Sequence, residues 1–244
     1  FDTRIFLESG FKSFNLGSSA QTPAQTKVLL KRYLDSLNPE LVIYEVFPST
    51  FTVDGVESSL DLISNDINDL HSLGMALKIN NIKTYNTLVY GFSRDLLGLN
   101  DSFSEPKKGW NYKYISGGYV ETELAFYKPP PELANREISI KDYQLESFSE
   151  IVQMVKNRNI ELILVYAPIT KVNYDRFTNN TYFDSLMNSY SEYYNFNEII
   201  NLDDAKHFYD SHHLNQNGVE IFNEKLIEIL IEDKARTHNS VYKK

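Results

Sequence analysis

The residues best suited to chemistry lie in the stretch Tyr209-Asp210-Ser211-His212-His213-Leu214-Asn215-Gln216-Asn217-Gly218. An Asp-x-x-His spacing on a turn lets the Asp210 carboxylate accept a hydrogen bond from the His213 ring. That bond fixes the tautomer and leaves the second ring nitrogen facing a nucleophile. His213 is therefore a candidate general base and Asp210 its orienting acid. The plainer alternative is that Asp210 caps a turn and His213 is a packed or exposed histidine. His212 competes with His213, and two histidines beside an acid also suit a metal. Zinc needs at least a third protein ligand, however, and His71, His207 and His238 stand alone, so no metal is expected.

A second stretch, Phe14-Asn15-Leu16-Gly17-Ser18-Ser19-Ala20-Gln21-Thr22-Pro23, places small residues between a predicted strand and a predicted helix. Such a turn exposes a serine beside backbone donors and the positive end of a helix, which suits a nucleophile, with Ser19 the candidate. Alternatively the N–H groups of the turn form an oxyanion hole, or Ser18 or Ser19 caps the helix.

These residues need a scaffold, and the rest of the sequence reads as α/β. Residues 12–16 suit a short strand, and Thr22-Pro23 opens a helix that Asn38-Pro39 ends. The apolar run 41–47 suits a parallel strand buried on both faces. An amphipathic helix over 141–157 leads into a strand over 161–166. A helix over 184–194, a strand over 198–202 and a closing helix over 217–231 come next, and 234–244 reads as a polar tail. Residues 55–131 break this rhythm with polar helical segments, an aromatic and glycine-rich stretch and three prolines. They read as an insertion within one domain spanning 1–244.

Composition narrows the partners. A formal charge of -9 disfavours nucleic acid and anionic membrane surfaces, which attract clustered Lys and Arg. No apolar run approaches the roughly 20 residues of a membrane span. The absence of cysteine removes thiolate nucleophiles and Cys-bound zinc. The 17 Tyr and 15 Phe suit stacking on sugars as well as core packing, so Trp110, Tyr112, Tyr114 and Tyr119 are candidates for a lid over a carbohydrate, or for a small aromatic core.

Together, Asn15-Leu16-Gly17 and Asp210-x-x-His213-Leu214-Asn215-x-x-Gly218 resemble the SGNH (GDSL-like) hydrolase superfamily. The likeness is greatest to its membrane-associated branch of cell-surface polymer acylation proteins, of the D-alanyl-lipoteichoic acid biosynthesis type. The resemblance implies a doubly wound parallel sheet, an α/β/α sandwich of flavodoxin-like order, and acyl-ester chemistry through a serine acyl-enzyme. It assigns Asp210 and His213 as catalytic and the Gly17 N–H as an oxyanion donor. On strand count, Asn15-Leu16-Gly17 corresponds to the second block of the family. The first strand is then missing, the nucleophilic serine lies upstream of Phe1, and residues 1–10 end the helix that follows it. Otherwise Ser19 substitutes. The third block, Gly-x-Asn-Asp, is replaced by Tyr44-Glu45-Val46-Phe47-Pro48, so the amide donor is absent. A vacant strand position cannot be bridged, which implies a gap between 12–16 and 41–47 and marginal stability.

The function so implied is an esterase or O-acyltransferase acting on acyl groups of an exported or cell-surface polysaccharide. The implied location is the periplasm or cell surface. No cofactor is expected; the partners are the acylated polymer and a membrane-bound O-acyltransferase. The alternative is a non-catalytic module that keeps the scaffold within a polymer-modification complex.

Overall fold

The computed structural model describes residues 1–99, 109 and 111–241, with side chains described through 232. Local sequence signals account for most element ends. Helix α1 (Thr3–Glu8) is capped by Asp2, whose carboxylate accepts from the Arg4 N–H. Helix α2 (Pro23–Leu37) starts with a Thr22/Gln25 capping box and a proline in its first turn, and ends at Asn38 in a left-handed conformation. Strand β1 (Leu41–Glu45) stops two residues before the expected end, because Pro48 opens helix α3 (Pro48–Thr52) and Phe47 serves as its cap.

Helices α4 (Val56–Asn65), α5 (Leu70–Ile79) and α6 (Ile82–Leu96) follow, then an antiparallel hairpin of β2 (Tyr112–Ile115) and β3 (Tyr119–Thr122). The chain returns to the main sheet through α7 (Asp142–Lys156) and β4 (Glu161–Tyr166). Helices α8 (Lys171–Asp175) and α9 (Asn180–Tyr190), strand β5 (Glu192–Asn195), helix α10 (Phe196–Ile199) and the closing helix α11 (Gln216–Val241) complete it.

The architecture is mixed α/β, with a three-stranded parallel sheet in the order β1-β4-β5. Leu41 lies opposite Glu161, and Ile163 opposite Glu192. Alternation along β4 divides the core. Leu162, Leu164 and Tyr166 pack against α2, α7 and α9 through Leu34, Phe148 and Phe183. Ile163 and Val165 face the other way, onto Phe6 of α1 and Phe222 and Leu226 of α11. Phe148 and Phe183 are fully buried, and each such side chain contributes about 2–3 kcal/mol by leaving water. A third cluster joins Val28 and Leu29 of α2 to Leu62, Met75 and Leu88, attaching α4–α6 to the main body. Arg32, nearly buried, secures that junction through Asp66 at 2.8 Å and Asp69 at 2.9 Å.

Several expectations need correction. Residues 12–16 form no strand: the Asn15 N–H bonds the carbonyl of Gly117 at 2.7 Å, so the hairpin turn takes up a group that a sheet neighbour would use. That turn needs its glycines, which sit at φ +93° and +88°, and a Cβ on Gly118 would lie 2.5 Å from the Asn15 carbonyl oxygen. Among the described residues, the edge of β1 away from β4 pairs with no strand. The strand expected over 198–202 comes earlier, as β5, and the helix expected over 184–194 ends at Tyr190. Tyr193 and Tyr194 send one ring into each core, whereas the Asn195 side chain accepts from the Asn197 N–H and starts a helix in place of further strand. The closing helix also runs on to Val241 through residues expected as a tail. Lys, Ala and Arg at 234–236 are polar or small, but they are good helix formers.

Candidate active site

The 209–215 segment folds into a tight loop held from three sides. An isolated bridge joins Phe208 to Leu214, and the Tyr209 N–H bonds the His213 carbonyl at 2.8 Å. Within the loop, Asp210 Oδ1 accepts from the N–H groups of His212 and His213, both at 2.9 Å. Its other oxygen, Oδ2, meets His213 Nδ1 at 2.8 Å. The loop is also tied to the segment after β4: the Ser211 carbonyl accepts from the Thr170 hydroxyl at 2.9 Å and the Asn173 amide at 3.2 Å. Finally, the His212 ring stacks on Phe47, just beyond β1, with centroids 5.7 Å apart and planes within 9°. The pair thus sits at the carboxyl ends of β1 and β4, where open parallel sheets hold their sites.

This geometry separates the two histidines. His212 is half-buried against Phe47, with its Nδ1 3.0 Å from the Ser211 hydroxyl. Burial and the nearby His213 both push its pKa down, against the opposite pull of Asp210. His213 presents a side chain 66% exposed, and among the described residues its Nε2 has no hydrogen-bond partner. The base expected from the spacing therefore has one nitrogen fixed and the other free to act. Partial burial pushes the Asp210 carboxyl up, but the bonds from His213 and the His212 backbone outweigh it and hold the group below the usual carboxylate range.

Asn215 and Gly218 explain the rest of the motif. The buried Asn215 amide donates to the carbonyls of Ala125 and Lys206, both at 2.9 Å, and its oxygen accepts from the Gly218 N–H at 3.2 Å. It staples the loop to the first turn of α11. Asn215→Ala is expected to cost about 2 kcal/mol, since it removes the hydrogen bonds of a buried amide. In urea unfolding this should appear as a lower midpoint with an unchanged slope. An unshifted midpoint would mean that Asn215 holds nothing together.

The Gly-Ser-Ser turn lies exposed. Ser18 bonds Gln21 through its N–H at 2.9 Å and its hydroxyl at 3.2 Å, and Ala20 takes a left-handed φ of +52°. Ser19 makes no hydrogen bond to His213 or to any other described residue. The Gly17 N–H likewise donates to no described group, and a Cβ there would meet nothing within 4 Å. Of the aromatic candidates, Trp110 lies outside the described residues. The Tyr112 ring lies on the backbone of Gly109, where a Cβ would come within 2.0 Å, and Tyr114 is half-buried on the same strand. The Tyr119 hydroxyl is committed to Gln216 at 2.8 Å, and Arg4 covers its ring at 5.9 Å. Tyr119 thus anchors the hairpin to the start of α11. A pocket of about 200 Å³ opens between Tyr209 and the segment after the hairpin, lined also by Asn111, Glu123, Leu124 and Ala125.

Sequence reasoning placed Glu45 and Phe47 in the stretch that replaces the third block of the family, without a role for either, and missed Thr170 and Asn173. Glu45 ends β1 at the open edge of the sheet, close enough to His213 for their charges to interact. Burial pushes its carboxyl up, against the His213 imidazole, which pulls it down. The Glu45 side chain is exposed, and water moderates that shift. The folded protein therefore holds this proton to higher pH than the unfolded chain does, and the carboxyl weakens folding as pH rises above the usual carboxylate range. Glu45→Gln is expected to raise Tm near pH 7.5 and leave it unchanged near pH 4. An equal gain at both pH values would contradict this.

Asp210, His212 and His213, the acid and paired histidines weighed from the sequence as a metal site, offer three ligand atoms within 4.8 Å of one another. The 2.8 Å between Nδ1 and Oδ2 fits a shared proton, since two ligands on one tetrahedral zinc lie roughly 3.3 Å apart. No helix of the described residues is long and apolar enough to cross a membrane. No family model, no curated protein and no solved structure matches this chain.

Proposed function

We propose that this protein is a serine-dependent acyl-ester hydrolase or O-acyltransferase, acting on an acylated carbohydrate polymer in the periplasm or at the cell surface. The observation that carries the reading is the 2.8 Å bond from His213 Nδ1 to Asp210 Oδ2, with Nε2 open toward solvent. In the first half-reaction Nε2 takes the serine hydroxyl proton as the serine oxygen attacks the acyl carbon. Asp210 steadies the imidazolium, and the departing sugar alkoxide takes the proton when the tetrahedral intermediate collapses. In the second half-reaction water, or an acceptor hydroxyl, gives its proton to Nε2 and attacks the acyl-enzyme. The released serine oxygen then recovers that proton.

The oxyanion needs donors, each worth a few kcal/mol in the transition state. The open Gly17 N–H is one. Glu45 is the other: its carboxyl holds a proton to higher pH than usual, and in that protonated form it donates a hydrogen bond as an amide does. The finer fold reading, a doubly wound sheet of flavodoxin-like order, adds a parallel strand along the open edge of β1. Such a strand ends level with Glu45 and brings a terminal serine toward Nε2, with Ser19 as the substitute. The acyl group comes from a donor such as that served by a membrane-bound O-acyltransferase.

Acetate release from an acetylated polysaccharide, and its transfer to an added oligosaccharide, test the reading. Neither release nor transfer by the full-length protein would sink it. The absence of the third-block asparagine favours one other reading, a binding or assembly module without turnover. That reading predicts retained polymer binding, no acetate release, and no effect of His213→Ala.

A further inference from the structure

We propose that the outward face of the α5–α6 hairpin is a dimer interface, on which a second copy of this chain lays the same two helices to close a four-helix bundle. The hairpin is well defined. Asn80, in a left-handed conformation, ends α5, and the Asn81 side chain accepts from the Lys83 N–H to start α6. The inner face is used: Met75 and Ala76 of α5 and Leu88 and Gly91 of α6 are buried.

The outer face remains apolar, and no described residue covers it. On α5 it carries Leu70, Leu73 and Leu77, exposed by 81%, 37% and 59%. On α6 it carries Ile82, Val89, Phe92 and Leu96, exposed by 69%, 68%, 38% and 87%, with Tyr85 on the same stripe. The steps are three and four residues on α5, and three, four, three and four on α6. That average of about 3.5 is the spacing of a helix–helix seam, which supercoiling keeps facing a partner helix. Monomeric proteins rarely leave contiguous apolar patches beyond a few hundred Å². Seven such side chains, at roughly 100 Å² each, offer on the order of 700 Å² per protomer, close to the size of a stable interface.

Carboxylate repulsion does not oppose a like partner. The chain carries -9 overall, yet between residues 67 and 99 its two acids are both engaged. Asp69 pairs with Arg32, and Asp95 accepts from the Asn68 side chain. Two copies therefore meet on a face without opposed carboxylates. A two-fold axis sets each antiparallel helix pair on the other, an isologous closure that leaves no free apolar edge.

Sedimentation velocity of the full-length protein, with Leu77→Glu/Val89→Glu as the test variant and Leu124→Glu as an exposed control elsewhere, decides. The expected result is a dimer for the wild type and the control. The double variant should show a twofold fall in mass with unchanged circular dichroism and Tm, since both sites are exposed in the monomer. A wild type that stays monomeric to about 100 μM overturns the proposal, as does a double variant that remains dimeric. A monomeric wild type that floats with phosphatidylglycerol vesicles, in a manner lost in the double variant, also overturns it by assigning the face to lipid.

Discussion

His213→Ala is expected to abolish acyl-ester turnover while leaving the fold intact. The side chain is 66% exposed and makes one side-chain hydrogen bond, to Asp210. Its removal leaves that carboxylate with two backbone N–H donors at 2.9 Å. Exposed substitutions of this kind shift stability by about 0.5 kcal/mol or less, which for a chain of this length moves Tm by about 2 °C at most. The chemical loss is much larger, because general base and acid steps share the same nitrogen. A fall in kcat of about four orders of magnitude is expected, with substrate binding little changed. Asp210→Asn should cost about as much, since an amide cannot hold the same tautomer or steady the imidazolium. Unaltered turnover in His213→Ala would take this residue out of the mechanism, and a collapse of Tm would make its role structural.

Gly218→Ala is expected to be severely destabilising, against what helix propensity alone predicts. Gly218 lies in the first turn of α11, where alanine usually gains about 1 kcal/mol over glycine. Here an added Cβ would stand 2.2 Å from the His207 carbonyl oxygen and 2.9 Å from Leu214 Cδ2. A backbone carbonyl cannot swing aside as a side-chain tip can, so the helix or the 207–215 loop must move. Overpacking of this kind costs about 3 kcal/mol, more than the propensity gain. The net loss of about 2 kcal/mol should lower Tm by roughly 4–8 °C for a chain of this size. Turnover should fall too, because the same movement shifts Asp210 and His213. A Tm equal to or above wild type would mean that α11 does not approach the loop so closely.

Both effects arise in a loop whose Asp–His pair is legible in the sequence but whose supports are not. Helix α2 and strand β4 were readable to the residue, because Thr22-Pro23, Asn38-Pro39 and an unbroken apolar run are local signals. The Asp210–His213 pair was readable for the same reason: three residues apart on a turn, they meet whatever the rest of the chain does. Phe47, Thr170 and Asn173 were not, since each reaches the loop from a distant part of the chain and carries no mark in its own neighbourhood. Residues 12–16 failed as a strand because pairing is a tertiary property. Their apolar and polar alternation was strand-like, but the partner that bonds Asn15 is a hairpin turn. The shift of β5 had another cause, the capping preference of Asn195, which outweighed the apolar residues beyond it. Glu45 was visible as a departure from a pattern, but its meaning depends on an open sheet edge and on His213 nearby, neither of which is written in the strand itself.

If His213, held by Asp210, activates a serine, that serine should be labelled by a serine-directed fluorophosphonate. Labelling of the full-length protein, with the site located by peptide mass spectrometry, is therefore the decisive experiment. Stoichiometric label is expected on one serine, with loss of that label in His213→Ala and Asp210→Asn and protection by an acetylated oligosaccharide. Label that persists undiminished in His213→Ala, or a wild type that takes up none, would mean that the pair activates no serine.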